Sequence, residues 1–191
     1  ALGVAPVLIE TRSGIREVSF VKVSDGEAFY RAQMGQPDFD LVRSGELVSE
    51  DKRKPLEWND LIFEPVYTNV GNPHAVNFLS SPLSQDEMKQ SGAWLETHAN
   101  HPRRINVEFV EVVSRCEARV NVWERGCGMT AACGTGATAV AAAGIKKGLF
   151  DTMVTIHMPG GDLIIEQDKS GIMYMTGPVQ EVAIGQIPAS M

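Results

Sequence analysis

One segment of the chain constrains its architecture most: Ala137-Thr138-Ala139-Val140-Ala141-Ala142-Ala143-Gly144-Ile145-Lys146-Lys147-Gly148. Its two lysines stand where a last helical turn attracts positive charge, and its final glycine stands where a helix commonly ends, so the segment predicts a helix over 137–147. Because nearly every residue is small and apolar, this helix has no polar face and must be enclosed by protein. We therefore expect a buried central helix that neighbouring strands approach closely.

Strand-like segments stand on both sides of this helix in the sequence. Strand-like runs between turn signals predict strands near 7–11, 16–23, 105–113, 118–123, 154–158, 163–167 and 172–176, with alternation of apolar and polar residues in 16–23. Segment 71–78 is predicted to be a turn followed by a strand. A capping box at Ser84-Gln85-Asp86-Glu87 predicts a second, short helix from 85 to about 96. The polar segment 40–60 is expected to be a solvated excursion. The predicted fold class is α+β, with a curved, mainly antiparallel sheet wrapped around one central buried helix.

The overall composition excludes several classes of protein and partner. The chain has 191 residues, of which 43% are hydrophobic and 21% charged, as in folded globular domains and unlike disordered chains. It has no apolar run of membrane-spanning length, so no membrane partner is expected. The formal net charge is −7 and no basic cluster stands out, which argues against a nucleic-acid partner. Three cysteines are too few for a disulfide scaffold and indicate a reducing compartment, so we expect a cytoplasmic protein.

The segment that leads into the helix carries the densest chemical signal: Glu124-Arg125-Gly126-Cys127-Gly128-Met129-Thr130-Ala131-Ala132-Cys133-Gly134-Thr135-Gly136. Cys133 stands at the helix entrance, where free N–H groups and the positive dipole end stabilise an anion. A thiol at this position is expected to have a lowered pKa, and the glycines allow a ligand to approach the backbone. From the residues alone, Cys133 is either a reactive thiol of this kind or a small core side chain.

Two other kinds of site are disfavoured by the same segment. A phosphate-binding loop would need a Lys followed by Ser or Thr after its glycines, and a dinucleotide fingerprint would need a third glycine where Ala131 stands. A zinc site is also disfavoured, because Cys127 and Cys133 are six residues apart, and His98 and His101, three apart, have no cysteine pair at ligand spacing nearby. No metal site is therefore expected.

Several motifs, in order along nearly the whole chain, together resemble the diaminopimelate epimerase family. The main ones are Gly71-Asn72-Pro73-His74-Ala75-Val76, Asn106-Val107-Glu108-Phe109-Val110 and Glu124-Arg125-Gly126 followed by Ala132-Cys133-Gly134-Thr135-Gly136. Smaller agreements are Glu10-Thr11 with Gly14, Met34-Gly35-Gln36-Pro37, Pro159-Gly160-Gly161 and Met175-Thr176-Gly177-Pro178. The resemblance implies a cofactor-independent enzyme that interconverts LL- and meso-diaminopimelate for lysine and peptidoglycan synthesis.

The resemblance also implies an architecture and residue roles. The family has two similar domains, each with a sheet curled round a helix and one cysteine at that helix's start, and the two cysteines remove and deliver the α-proton on opposite faces. Here Cys133 would be one acid/base cysteine, with its protonation tuned by His74 and Glu124. The substrate, a small amino acid, would be bound by Asn72, Asn106, Glu124, Arg125, Gly134 and Thr135.

The chain departs from the family pattern in its cysteines, and this predicts that the domain with the first catalytic cysteine is absent. Residues 1–115 contain no cysteine, so the chain is expected to be the C-terminal part of the enzyme and inactive by itself. The expected divisions are a connecting strand at 1–12, the C-terminal domain at 13–180 and a terminal strand at 181–191 that returns to a missing N-terminal domain. Cys127 and Met129 replace a small residue and a glutamate, and Cys127 shares a loop with Cys133, so it cannot act from the opposite face.

Three hypotheses remain open from the sequence. The first is the diaminopimelate epimerase, whose partners would be its substrate and its own N-terminal domain. The second is a related isomerase, because proline-racemase-like proteins also carry a Cys-Gly-Thr-Gly element, although Glu124-Arg125-Gly126 and Asn72-Pro73-His74 favour the first. The third is a catalytically silent domain that binds a small ligand or a partner. The oligomeric state is also open, with a homodimer among the alternatives.

Overall fold

The computed structural model describes residues 5–11, 14–48 and 54–186. The described residues form thirteen strands and two helices. The helices are α1 (Gln85–Glu96) and α2 (Gly134–Lys146). The strands are β1 (Val7–Thr11), β2 (Gly14–Ser24), β3 (Glu27–Gly35), β4 (Leu56–Trp58), β5 (Leu61–Phe63), β6 (Val66–Asn69), β7 (Pro73–Phe78), β8 (Asn106–Ser114), β9 (Glu117–Glu124), β10 (Gly128–Thr130), β11 (Met153–Met158), β12 (Gly161–Gln167) and β13 (Met173–Val179).

Eleven of the described strands belong to one sheet. Its order is β1-β2-β3-β13-β12-β11-β9-β8-β7-β6, and β10 folds back to pair with the end of β9. Most neighbours are antiparallel, but β7 runs parallel to β8 and β9 parallel to β11. Parallel neighbours need a long crossover, and each of these crossovers contains a helix, α1 in the first and α2 in the second. The strands β4 and β5 form a separate hairpin.

Helix α2 is the central element of the fold. It contacts β6, β7 and β8 from one end of the sheet and β11, β12 and β13 from the middle, so the sheet must curve around it. Every residue from 136 to 144 is buried. The small side chains are needed for this enclosure: a Cβ on Gly144 would overlap the ring of Phe150. The predicted α+β fold, a curved sheet around a buried helix, is thereby confirmed.

The ends of both helices follow from local chemistry. Helix α2 begins at Gly134, three residues before the predicted start, because Cys133 caps it. Beyond its last turn, Gly148 has a φ of 72°, which favours glycine, and Leu149 N–H donates to Gly144 O at 2.9 Å. In α1 the predicted capping box is present, with Ser84 N–H donating to Glu87 Oε2 at 2.7 Å. Neither described helix is long and apolar enough to cross a membrane.

The two helices lie on opposite faces of β8, which is therefore buried on both sides. Val110 packs in the cluster that contains α2, whereas Val107 and Phe109 pack in the cluster that contains Leu95 of α1. The alternation of a strand then directs Asn106 and Glu108 toward α2, on the same face as Val110. A polar side chain in this position must find a hydrogen-bonding partner, since burial without one is costly.

Segment 40–60 differs from the prediction of a solvated excursion, which is wrong. Leu41 is fully buried, and Leu47 and Leu56 are nearly so, because they close the second apolar cluster beneath the β4–β5 hairpin. Residues 49–53 lie outside the described residues.

The predicted terminal segments are described only in part. Residues 181–186 form no helix or strand, so the described part of the predicted terminal strand at 181–191 is not a strand, and residues 187–191 lie outside the described residues. In the predicted connecting segment 1–12, residues 7–11 form β1, which pairs with β2. Residues 1–4, 12 and 13 are not described. The division into domains stays a prediction.

Candidate active site at the start of helix α2

The thiol of Cys133 caps the N-terminus of α2. The residue has extended backbone angles, φ −144° and ψ 108°, so its side chain turns back over the first helical turn. There Gly136 N–H donates to Cys133 Sγ at 3.4 Å. The first N–H groups of a helix have no intrahelical acceptor. With that of Gly136 directed to the thiol, those of Gly134 and Thr135 are the donors that an anionic ligand could use.

The position of Cys133 is buried, and this changes the expected acidity of the thiol. Cys133 is only 8% exposed, and this burial raises the pKa of its thiol. Hydrogen bonds from Thr135 and Gly136 act to lower this pKa, while the carboxyl groups of Glu124 and Glu108 act to raise it. The net direction is upward, so the expectation of a lowered pKa at the helix entrance is wrong. In this structure the resting form of Cys133 is the thiol.

A continuous chain of side-chain contacts leads from this thiol into the core. Thr135 Oγ1 lies 3.5 Å from Cys133 Sγ, and Asn72 Nδ2 donates to Thr135 Oγ1 at 3.2 Å. Asn72 Oδ1 lies 2.9 Å from His74 Nε2, and His74 Nδ1 lies 2.6 Å from Glu108 Oε1. The chain thus joins the start of β7, the middle of β8 and the first turn of α2. The structure brings together three predicted site residues around Cys133 and adds Glu108.

Glu108 is the member of this chain to which the sequence assigned no role. It is fully buried, and burial raises the pKa of its carboxyl group. Its second oxygen, Oε2, has no hydrogen-bond partner among the described residues. One sequence signal could have singled it out, because it is the acidic residue inside the otherwise apolar run Val107-Glu108-Phe109-Val110.

The predicted residues Asn106, Glu124 and Arg125 lie beside the same helix start. Asn106 Nδ2 donates to Pro73 O at 2.9 Å, and its Oδ1 accepts from Arg125 N–H at 2.9 Å. Asn106 therefore connects the first residue of β7 to the loop after β9. Glu124 Oε1 accepts from the Thr130 hydroxyl at 2.7 Å, and its charge acts on the pKa of Cys133. Direct contact of these side chains with a substrate stays a prediction.

A second buried acid, Glu96 at the end of α1, holds the loop that carries Arg125. Glu96 Oε1 accepts from Gly126 N–H at 2.9 Å, and Glu96 Oε2 accepts from Trp123 Nε1–H at 2.7 Å. The Arg125 side chain itself is exposed, and its Nη1 donates to Arg103 O at 3.2 Å. This role of Glu96 could not be predicted, because the contact joins residues that are far apart in the chain.

A cavity opens beside Asn72 and Thr135, in the middle of the hydrogen-bonded chain, and Cys133 is not among its lining residues. It has a volume of about 260 Å³ and is lined by residues that include Asn72, Thr135, Gln33 and Arg16. Arg16, on β2, supplies a cation that the sequence did not point to. A larger cavity of about 470 Å³ lies between β5 and the end of β7 and has no contact with Cys133. The smaller cavity is the one that the candidate site can use.

The other two cysteines lie apart from this arrangement. Cys116 and Cys127 are both exposed and unpaired, whereas Cys133 is buried. Cys127 is in the turn between β9 and β10, and Cys116 is in the turn between β8 and β9. Within the described residues, no group of three or more His, Cys, Asp or Glu side chains is placed to hold a metal ion.

Comparison with known sequences gives a consistent result. The profile of the diaminopimelate epimerase family matches residues 66–182. A diaminopimelate epimerase from Pelotomaculum thermopropionicum is 37% identical over 191 residues, covering 95% of this chain, and one from Teredinibacter turnerae is 43% identical over 140 residues, covering 72%. The chain spans 65% of the first of these relatives and 50% of the second.

Solved structures with low sequence identity share the fold. A hydroxyproline epimerase from Agrobacterium vitis superposes with a TM-score of 0.68 at 16% identity, over 91% of this chain and 56% of that one. A probable proline racemase from Agrobacterium radiobacter superposes with a TM-score of 0.67 at 16% identity, over 97% of this chain and 61% of that one.

Proposed function

Since this chain belongs to the diaminopimelate epimerase family, we propose that it supplies one of the two acid/base cysteines of an enzyme that interconverts LL- and meso-diaminopimelate without a cofactor. The observation that carries the proposal is the placement of Cys133. Its thiol caps α2 beside two first-turn N–H groups, and its side chain contacts Thr135 in a chain that continues to Asn72 and His74. The product would serve lysine and peptidoglycan synthesis in the cytoplasm.

The helix start provides what the removal of an α-proton requires. As the proton leaves, negative charge moves onto the adjacent carboxylate, and donors that are already fixed in place stabilise that charge without reorganising. The N–H groups of Gly134 and Thr135 are such donors, because the helix holds them in place. We propose that they bind the α-carboxylate, with the α-carbon next to Cys133 Sγ.

The distal end of the substrate needs a separate set of groups. Diaminopimelate carries a second carboxylate and a second amine, and an arginine fork can hold both oxygens of a carboxylate. We propose Arg125 for this role, with Asn72, Asn106 and Glu124 completing the polar contacts. Asn106 would act partly by fixing the loop, since it already accepts from Arg125 N–H.

Inversion of the α-carbon needs a second acid/base on the opposite face. One cysteine, as thiolate, takes the α-proton and becomes a thiol, and the other thiol delivers its proton to the opposite face and becomes the thiolate. Cys116 and Cys127 are exposed and lie in turns outside the hydrogen-bonded chain. We therefore propose that the second cysteine comes from an N-terminal domain, corresponding to the part of the relatives that this chain does not match.

The raised pKa of Cys133 fits one half of this exchange. A buried thiol that keeps its proton is ready to donate it to a carbanion. In the opposite direction it must lose its proton first, and the donors Thr135 and Gly136 would then stabilise the thiolate. His74 and Glu124 are proposed to tune this protonation.

The test is exchange of the α-proton in deuterated water. The complete product of the gene is incubated with LL-diaminopimelate, and inversion and deuterium content are followed together. We expect inversion with one deuterium incorporated, abolished by Cys133→Ala and largely retained by Cys127→Ala, the matched control in the turn before β10. The 191-residue chain by itself should show no inversion.

Two results would contradict the proposal. Inversion of proline or hydroxyproline in preference to diaminopimelate would favour the related isomerase, whose fold the chain shares. Absence of exchange with every amino acid by the complete gene product would instead favour a silent ligand-binding domain.

A further inference from the structure

Glu108 is a buried acid that the proposed reaction does not use. Its carboxyl group stands three side chains away from Cys133, so it cannot exchange a proton with a substrate at that thiol. It is fully buried, contacts His74 Nδ1 at 2.6 Å, and has an oxygen without a partner among the described residues. A carboxyl group in such a position is costly unless its interactions repay the burial. Its hydrogen bonds reach the thiol only through His74, although its charge also acts on the pKa of Cys133.

The hydrogen bonds in the chain that leads from Glu108 to Cys133 can run in one of two directions, from donor to acceptor. If His74 carries its hydrogen on Nε2, it donates to Asn72 Oδ1, and Asn72 Nδ2 then donates to Thr135 Oγ1. The Thr135 hydroxyl, having accepted there, directs its own hydrogen to Cys133 Sγ. In the opposite direction the side-chain amide of Asn72 is turned over. Its NH₂ group then donates to His74 Nε2, its oxygen accepts from the Thr135 hydroxyl, and Cys133 Sγ no longer receives a hydrogen bond from Thr135.

The burial of Glu108 selects between these directions. A carboxylate with one unpaired oxygen in the core is unfavourable, and burial raises the pKa of Glu108. Protonation of Glu108, which burial favours, would place a hydrogen between Glu108 Oε1 and His74 Nδ1 and make the two groups a neutral pair. His74 must then carry a further hydrogen on Nε2, as a neutral imidazole beside the acid or as an imidazolium beside the carboxylate.

We propose that Glu108 is a positioning residue that fixes the direction of the hydrogen bonds from His74 through Asn72 and Thr135, so that the Thr135 hydroxyl donates to the thiolate of Cys133. The proposal rests on the proposed function in one respect only, namely that the thiolate of Cys133 serves as an acid/base group. The charged groups that face the thiol are Glu108 itself and Glu124 at the end of β9. Because Glu108→Gln and Glu108→Met both remove the carboxyl group, its charge effect on the thiol is lost equally in the two variants, and only the hydrogen bond to His74 distinguishes them.

The first test compares two substitutions at the same position. Glu108→Gln would direct its amide hydrogens to His74 Nδ1, because the alternative leaves two donors unpaired in the core, so it keeps the direction of the chain. Glu108→Met has a similar size but no hydrogen bond, so the direction is lost. The readout is the rate of alkylation of Cys133 against pH in the 191-residue chain, with each cysteine followed by peptide mass spectrometry.

The expected result is specific to Cys133. Loss of a hydrogen bond to a charged sulfur should slow its alkylation about tenfold at any pH where the thiol is largely protonated, in Glu108→Met but not in Glu108→Gln. The exposed cysteines Cys116 and Cys127 should react as before in both variants, and Glu111→Met, on the same strand and the other face, should leave all three rates unchanged. Unchanged Cys133 alkylation in Glu108→Met, or equal slowing in Glu108→Gln, would overturn the proposal.

A second measurement needs no substitution at Glu108, so it decides the matter even if Glu108→Met does not fold. Nitrogen-15 NMR of the four histidine rings, assigned by His74→Gln, reports which ring nitrogen of His74 carries hydrogen. We expect hydrogen on Nε2 at neutral pH, and hydrogen on Nδ1 with a bare Nε2 would overturn the proposal. Neither measurement reads turnover, so failure of the deuterium-exchange test would refute the proposed reaction without altering this result.

Discussion

Oε1 of Glu108 lies 3.2 Å from the point where a Cβ on Gly136 would stand. A methyl group on Gly136, in the first turn of α2, would therefore crowd the carboxyl group of Glu108 on β8. The same point is 3.3 Å from Cys133 Cβ and 3.4 Å from Cys133 Sγ. The absence of a side chain at residue 136 therefore leaves room for both the buried acid and the thiol at this point.

Replacing Gly136 by Ala should damage this arrangement. Alanine favours a helix over glycine by about 1 kcal/mol, but its methyl group must displace Glu108, Cys133 or both. We expect a net destabilisation of about 1–2 kcal/mol by chemical denaturation, as for other overpacked sites, together with loss of most of the activity proposed for the complete gene product.

Gly134→Ala is the matched control for stability in the same helical turn. Its Cβ would lie 2.9 Å from Met175 Sδ, the end of a flexible side chain that can move away. It should therefore be less destabilising than Gly136→Ala. The reverse order would show that Glu108 and Cys133 are not held as the structure has them.

A second prediction concerns the enclosure of α2. In Gly144→Ala the new methyl group overlaps the buried ring of Phe150, and neither the helix nor the core can move freely. The free energy of unfolding should fall by about 3 kcal/mol. The double variant Gly144→Ala with Phe150→Leu should recover part of this loss, as a double-mutant cycle for contacting residues would measure. Strict additivity of the two substitutions would contradict the predicted contact.

The sequence was sufficient to predict the elements whose causes are local. The capping box at Ser84 and Glu87 defines the start of α1, and the uniformly small, apolar run of α2 requires enclosure wherever the strands lie. By contrast, Leu41, Leu47 and Leu56 are buried only because distant elements cover them. Nothing within segment 40–60 distinguishes them from leucines of a solvated loop, so that prediction was wrong.

The same distinction separates the parts of the site that were foreseen from those that were not. Cys133 could be placed at a helix entrance because its position relative to α2 is a matter of adjacent residues. Its pKa could not be foreseen, because the raising effect comes from burial by remote strands. Glu108 meets His74 only through the parallel pairing of β7 with β8, which aligns His74 with Asn106. Neither the segment around His74 nor the segment around Glu108 reveals this register by itself.

The corrected acidity of Cys133 gives a third prediction, on the order in which the cysteines react. At pH 7–8 the exposed thiols of Cys116 and Cys127 should be alkylated before that of Cys133, because Cys133 is buried and burial raises its pKa. Peptide mass spectrometry at successive times measures the three rates. Faster labelling of Cys133 than of both exposed cysteines would show that the helix terminus outweighs burial, as the sequence had suggested.

The last prediction concerns acid stability and His101, which is buried beneath α1. Burial lowers the pKa of His101 to about 4, and its ring nitrogens contact Leu95 O at 2.6 Å and the Tyr67 hydroxyl at 3.0 Å. Unfolding restores the ordinary pKa of 6.5, so the unfolded chain binds a proton that the folded chain rejects. The stabilisation is complete above pH 6.5 and is lost as the pH falls toward 4, by about 3 kcal/mol in all.

Urea unfolding at pH 7 and pH 4.5 should show this loss in the unmodified chain and a smaller one in His101→Gln. Equal pH dependence in the unmodified chain and in His101→Gln would mean that His101 is not a source of the acid sensitivity.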